Sequence, residues 1–208
     1  LHSLRRRQRQ MCIRDSFCIH WANESWTRRW DGLEHEILIK QEHTLEDDIE
    51  FIKYIAITYF EHPNYIRIKG KPLLIIYRPD LFPNIKETTE RWREWCYKNG
   101  IGEILLCNMH SFDWTDPREI GFDASIEYPP NAILFNDVTD EIEVIDSSFQ
   151  GRVLDYESAI DQAYLYEKPE YKKFRGVFPD WDNEARRKGR SRTFINSTPE
   201  NFETCLLY

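Results

Sequence analysis

Thirteen consecutive residues carry most of the chemistry visible in this chain: His20-Trp21-Ala22-Asn23-Glu24-Ser25-Trp26-Thr27-Arg28-Arg29-Trp30-Asp31-Gly32. An indole face is a flat apolar platform, which suits the C–H face of a pyranose ring. Carboxylates accept paired hydroxyls or move protons. Guanidinium groups grip carboxylates and phosphates through parallel N–H donors. On these grounds Trp21, Asn23, Trp26, Arg28, Arg29, Trp30 and Asp31 are candidate substrate-binding residues. Glu24 is the first candidate for a catalytic carboxylate. The bland alternative is a Trp-rich cap with surface ion pairs, such as Glu24 with Arg28.

Four further clusters each follow a strand-like run. They are Arg78-Pro79-Asp80, Asp113-Trp114, Glu127 before Tyr128-Pro129-Pro130, and Asp180-Trp181-Asp182-Asn183 with Arg186-Arg187. Arg78, Asp113, Trp181, Asn183, Arg186 and Arg187 join the binding candidates. Glu127 or Asp182 is the expected catalytic partner of Glu24. Two carboxyl groups flanking a glycosidic bond lie roughly 5–10 Å apart, depending on mechanism, so Glu24 and one of these two should meet that distance. No metal is expected. His20 and His43 read as packing or hydrogen-bonding residues, and no HxH or HExxH spacing occurs. The Asp180–Asp182 spacing is too common to carry a metal site. No cofactor is called for beyond a nucleotide-sugar donor acting as substrate.

The elements that must hold these clusters alternate strand and helix. Phe17–Ala22 reads as a strand, followed by a polar-aromatic loop through Gly32 and an apolar patch at Ile37–Ile39. Thr44 has the look of a helix N-cap, with Asp47 at the capping-box position, and the apolar spacing predicts a helix over 45–60. Lys69-Gly70-Lys71-Pro72 is a turn, and Leu73–Tyr77 is a continuous apolar run suited to a buried parallel strand. A helix over Ile85–Cys96 is closed by Asn99-Gly100. Strands are predicted at Glu103–Cys107, Asp123–Glu127, Val153–Tyr156, Gly176–Phe178 and Thr193–Asn196. Residues 131–150 read as a long loop and Ala159–Lys173 as a helix. Ser197-Thr198-Pro199-Glu200 reads as a helix start with proline in its first turn. This is the grammar of parallel α/β architecture. Six to seven strand-like units fit a (β/α)8 TIM-like barrel that is incomplete, lacking about its first two βα units. A doubly wound sheet is the rival, but no glycine-rich phosphate loop follows any strand.

The two ends have a different character. Residues 6–16, Arg-Arg-Gln-Arg-Gln-Met-Cys-Ile-Arg-Asp-Ser, resemble the translation of a transposase-type library adapter. Cys205-Leu206-Leu207-Tyr208 can be written with the inverted complement of the codons for Cys12–Ser16. Residues 1–16 and 205–208 are therefore expected to be adapter-derived, with 17–204 a partial barrel domain. Setting residues 1–16 aside removes five arginines and one aspartate and takes the formal charge from −8 to −12. So acidic a chain is not built for nucleic acid. Cys18, Cys96 and Cys107 remain, with no CxxC pair, and read as buried thiols. No apolar run approaches a membrane span.

Several motifs together resemble a known family. They are Trp21-Ala22-Asn23-Glu24, Trp26-Thr27-Arg28-Arg29-Trp30-Asp31-Gly32, Tyr65-Ile66-Arg67-Ile68, Gly70-Lys71-Pro72, Ile76-Tyr77-Arg78-Pro79, Gly121-Phe122-Asp123-Ala124, and Trp181-Asp182-Asn183 with Arg186-Arg187. The chain resembles the WbsX-like family of bacterial polysaccharide clusters, described as glycosyltransferases and also as glycoside hydrolase family 99-like. The resemblance implies a (β/α)8 barrel and work on glycans such as the O-antigen of lipopolysaccharide. It implies a glycan or nucleotide-sugar partner and a cytoplasmic location, free or peripheral to a membrane. It leaves three activities open: glycosyl transfer, α-mannoside hydrolysis by two carboxylates, and glycan binding without catalysis. The paired-glutamate motif of family 99 has no residue-by-residue match here and is not carried over.

Overall fold

A computed structural model describes residues 15–28, 33–112 and 115–207, with only the backbone for 33–35. The chain is an α/β protein with a parallel sheet, and it divides into two compact units. Unit 1 holds residues up to Glu24, 42–109 and 113–126; unit 2 holds 25–41, 110–112 and the chain from Glu127 onward.

Unit 1 is organised around strand β5, Lys71–Ile76, whose residues from Pro72 onward are all buried. A strand covered on both faces needs apolar residues at every position, not every second one. β5 pairs in parallel with β1 (Ile19–Trp21) on one side and β6 (Leu105–His110) on the other. β7 (Ala124–Glu127) is next to β6 in the sheet order. A two-residue turn brings the short β4 (Arg67–Ile68) back against β5 as an antiparallel hairpin. Lys69 and Gly70 both take positive φ, 52° and 82°. Positive φ at both central positions is what a type I′ turn needs to match the strand twist.

Two helices cover this sheet. α1 spans Leu45–Ile55, and Thr44 caps it by accepting from the Asp47 N–H while its hydroxyl donates to the Asp47 carboxylate. One π-helical turn, Ala56–Phe60, completes the predicted 45–60 helix. α2 spans Ile85–Lys98; Asn84 caps its start, and Asn99 with left-handed Gly100 ends it. Ile52, Phe60, Leu74, Ile76, Trp92 and Leu106 meet in the core between them. The two helices are locked by a buried carboxylate. Asp48 accepts from Thr88 Oγ1 at 2.8 Å and Arg91 Nη2 at 2.5 Å, and its backbone carbonyl accepts from Trp92 Nε1 at 2.8 Å. Arg93 ties α2 to the sheet by donating to the Ile104 and Gly121 carbonyls and to Asp123.

Unit 2 contains β9 (Arg152–Asp155), parallel to β11 (Arg192–Ile195) and antiparallel to the two-residue β8, Asn136–Asp137. Tyr156, Phe178, Phe194 and Phe135 pack edge to face beside it. Three expectations fail in this unit. The loop predicted through Gly32 instead contains β2 (Trp26–Arg28), paired antiparallel with β3 (Leu33–Ile39). The helix predicted over 159–173 is α3, Ser158–Tyr164, only seven residues long. Pro169 disfavours helical backbone at Lys168 before it, and Lys173–Phe174 has already become strand β10. The strand predicted at Gly176–Phe178 is irregular, because Gly176 lies against Glu127: a Cβ there would sit 2.7 Å from the Glu127 carbonyl oxygen. The final helix, α4 (Pro199–Leu207), starts where Thr198 and Pro199 place it.

Candidate functional site

In parallel α/β sheets, reactive groups gather on the loops that leave the carboxyl ends of the strands. In unit 1 the loops after β1 and β5 meet there. Asn23 is completely buried. Its Nδ2 donates to the Arg78 carbonyl at 2.7 Å, and its Oδ1 accepts from the Arg78 N–H at 2.8 Å. Both ends of the amide are thus spent on the backbone, so Asn23 is a strut rather than a contact offered to a ligand. The strut places Arg78 against Glu24. Arg78 Nη1 donates to Glu24 Oε1 at 2.8 Å, while Nε and Nη2 grip Asp80 at 2.8 and 2.6 Å. The Glu24 and Arg78 side chains keep 18% and 20% of their surface, enough for a ligand to reach. The Asp80 bonds, strongest first, and then Glu24 push the Arg78 pKa up, and Arg78 holds Asp80 below the usual carboxylate range.

Trp21 leans into the core of unit 1. It stacks on Phe51 at 3.9 Å and meets His43 and Phe82 edge-on. One indole face is therefore taken by protein. His43 lies over Phe82 at 4.0 Å, and burial lowers its pKa. Cys96 and Cys107 are buried thiols pushed up to about 12 by desolvation. A thiol so far from ionisation is a poor nucleophile.

In unit 2, Glu127 ends β7 and is buried. Lys173 Nζ lies 2.9 Å from Oε1; Arg175 Nε and the Gly176 N–H donate to Oε2 at 2.8 and 3.1 Å. Burial alone would raise its pKa, but the two cations and the amide outweigh it, and the carboxyl is held below its ordinary value. A general acid needs the opposite shift. Glu127 therefore suits an ionised partner or a positioning group, not a proton donor.

The other unit 2 candidates lie elsewhere on its surface. Trp26 is 65% exposed on β2, and Arg28 pairs with Glu36 at 3.0 Å. Trp181 and Asp182 are exposed; Asp182 Oδ1 accepts from the Glu184 N–H and Asn183 Oδ1 from the Arg192 N–H. Arg186 and Arg187 are exposed on the turn that follows. No hydrogen bond or ion pair joins Glu127 to Asp182 among the described residues. Arg29, Trp30, Asp31 and Asp113 lie outside the described residues.

Comparison with known proteins decides the family. The sequence model of the Glycosyltransferase WbsX family matches residues 4–207. The chain belongs to the WbsX glycosyltransferase family. Two relatives, each the uncharacterized protein WxcX from a strain of Xanthomonas campestris pv. campestris, are 43% and 42% identical over 190 residues. Those alignments take in 91% of this chain and 27% of each relative, so the chain spans about a quarter of their length. Among solved structures, it is similar to the GH99 endo-alpha-mannosidase from Bacteroides thetaiotaomicron (TM-score 0.47, 17% identity, 80% of this chain and 46% of that one). It is also similar to a glycoside hydrolase-like protein (TM-score 0.49, 15% identity, 76% and 45%).

Within this WbsX-family chain the structure adds three residues that motif reading missed as site members. Asp80 sat in a motif already singled out, and its spacing two residues from Arg78 was the available signal. Lys173 and Arg175 had none, because they face Glu127 across more than forty positions of sequence. Among the described residues no group of three or more His, Cys, Asp or Glu is arranged to hold a metal ion. No described helix is long and apolar enough to cross a membrane.

Proposed function

We propose that the full-length protein transfers glycosyl groups in the assembly of a bacterial surface polysaccharide, and that this chain is part of its (β/α)8 catalytic barrel. Glu24 is the reacting carboxylate, and Arg78 orients it. The observation that supports this reading is the Glu24–Arg78–Asp80 array at the carboxyl ends of β1 and β5, in a family described by glycosyl transfer. A carboxylate held by a guanidinium that is itself anchored on Asp80 and on the Asn23 strut keeps one geometry without reorganising, which is what catalytic preorganisation requires. The site would work on a glycan acceptor and a nucleotide-sugar donor.

The test uses full-length protein from a complete gene, assayed for nucleotide-sugar turnover and, in parallel, for glycan hydrolysis. Glu24→Gln keeps the shape and removes the charge. Loss of an acid–base group costs typically about a hundredfold to ten-thousandfold in rate, and that loss is expected in the transfer assay. Activity only in the hydrolysis arm would replace transfer with a two-carboxylate hydrolase. Wild-type rates for Glu24→Gln would remove Glu24 from the reaction. Glycan binding without turnover in either arm would make the domain a binding module.

A further inference from the structure

Unit 2 contains a cavity of about 210 Å³ whose lining includes Arg175, Gly176, Tyr156 and Phe178, all within residues 17–204; Cys205, Leu206 and Leu207, expected from the sequence to be adapter-derived, close part of its apolar side, and Arg175 marks its polar end. Pockets for drug-sized ligands run about 300–1,000 Å³, so this one suits a single small group and not a whole oligosaccharide. Its polar end is unusually well fixed. Arg175 Nε is committed to Glu127 at 2.8 Å, and the guanidinium lies 3.8 Å over the ring of Tyr166. Those two contacts set both the direction and the plane of the group. Its Nη1 and Nη2 atoms make no hydrogen bond among the described residues, and the side chain keeps 33% of its surface. The neighbouring hydroxyl is occupied, since Tyr156 donates to the Phe178 carbonyl at 2.6 Å. A planar fork of unspent donors held on an aromatic face is preorganised for one ligand chemistry, an oxyanion taken in two parallel hydrogen bonds.

We propose that Arg175 anchors an oxyanion in this cavity, carried by the sugar substrate as a carboxylate or a phosphate. The proposal rests on the glycan reading above and names the class of sugar, an anionic one. Glu127 is then a positioning residue: its carboxylate holds Arg175 through Nε and leaves the two terminal nitrogens to the ligand. Tyr166 does the same from the ring face.

The experiment is calorimetric titration of the full-length protein with glucuronate, glucose 1-phosphate and neutral glucose. At least one of the two anions should bind about tenfold or more tightly than glucose, since a hydrogen bond to an ionised partner is roughly twice as strong as a neutral one. Which anion binds identifies the source of the charge. Arg175→Lys keeps a cation for Glu127 but loses the fork, and should cost about tenfold in that affinity. Tyr166→Leu leaves the ion pair untouched, removes the platform, and should weaken the anion by a smaller factor. It serves as the test if Arg175→Lys does not fold. Anions that bind no better than glucose, or variants that bind them as well as wild type, overturn the proposal. Binding is read here without turnover, so anion binding by a protein inactive in transfer would sink the transfer reading and leave this one standing.

Discussion

Replacing Glu127 by Gln tests how the centre of unit 2 is held together. The side chain keeps its shape but loses the charge that faces Lys173 and Arg175. The Lys173 side chain is only 7% exposed, so it cannot simply turn its charge to water. Breaking a buried ion pair by removing one partner typically costs about 3–5 kcal/mol, and Arg175, one-third exposed, can relax toward solvent. The expected loss is about 3 kcal/mol. At roughly 2–4 °C per kcal/mol for an unfolding unit of 150–250 residues, the melting temperature should fall by about 6–12 °C at pH 7. The pH dependence gives a second, independent check. The folded pKa of Glu127 is depressed, so its contribution is fully present above the unfolded value of about 4.3 and is lost as pH falls through the folded value. The Gln variant lacks that contribution at every pH. The gap between the two proteins should be widest near neutrality and should close in acid. Melting of both full-length proteins from pH 7 down to about pH 2.5, well below the unfolded carboxyl value of about 4.3, measures it. A gap below about 2 °C at pH 7, or one that does not narrow in acid, would refute the claim that Glu127 is an ionised anchor.

Two more substitutions probe unit 1. Asp48→Asn keeps an acceptor for Thr88 but loses the charge opposite Arg91. Since Arg91 is one-quarter exposed, the loss should be about 1–2 kcal/mol, read as a lower urea midpoint; an unchanged midpoint would mean the buried network is not stabilising. Asn23→Ala strips both backbone bonds from Arg78 and should cost about 2–3 kcal/mol together with a fall in turnover. Asn23→Asp, which restores only the acceptor half, should lie between. Wild-type turnover in Asn23→Ala would show that the strut does not position Glu24.

What was legible in the sequence was what short-range physics writes there. The Thr44 cap, the Lys69-Gly70 turn, the buried run of β5 and the Asn99-Gly100 helix end are each decided within four or five residues, and each stands in the structure as its spacing predicts. The failures share the opposite property. The β2–β3 hairpin depends on Trp26–Arg28 finding Leu33–Ile39 through bulged register, which no alternation announces. The irregular backbone at Gly176–Phe178 is set by the close approach of Glu127. The candidate site divides in the same way. Residue type marked Glu24 and Arg78 as chemically able, but their ion pair spans 54 positions, and nothing local to either residue encodes it. Asn23 was picked for its polarity, while its burial, which makes it a strut, is a property of the fold.

The same division changes how the arginines should be weighed. Counting arginines in the motifs leans toward transfer from a nucleotide-sugar donor or toward anionic sugars, because each guanidinium is a potential anion site. The structure spends them unequally. Arg78 has Nε, Nη1 and Nη2 all committed to Glu24 and Asp80, and Arg28 is paired with Glu36. A guanidinium enclosed by carboxylates repels a second anion more than it attracts one, so Arg78 belongs to the positioning of Glu24 and not to donor binding. Arg175 is placed the other way round. A single carboxylate takes its Nε, an aromatic ring fixes its plane, and both terminal nitrogens remain unspent among the described residues. Anion recognition in this chain is therefore better sought at a residue that no motif marks than at the arginines that made the motifs conspicuous. If glucose 1-phosphate binds and Arg175→Lys releases it while Arg186→Lys and Arg187→Lys do not, the count of arginines was the wrong quantity and the number of unspent donors the right one.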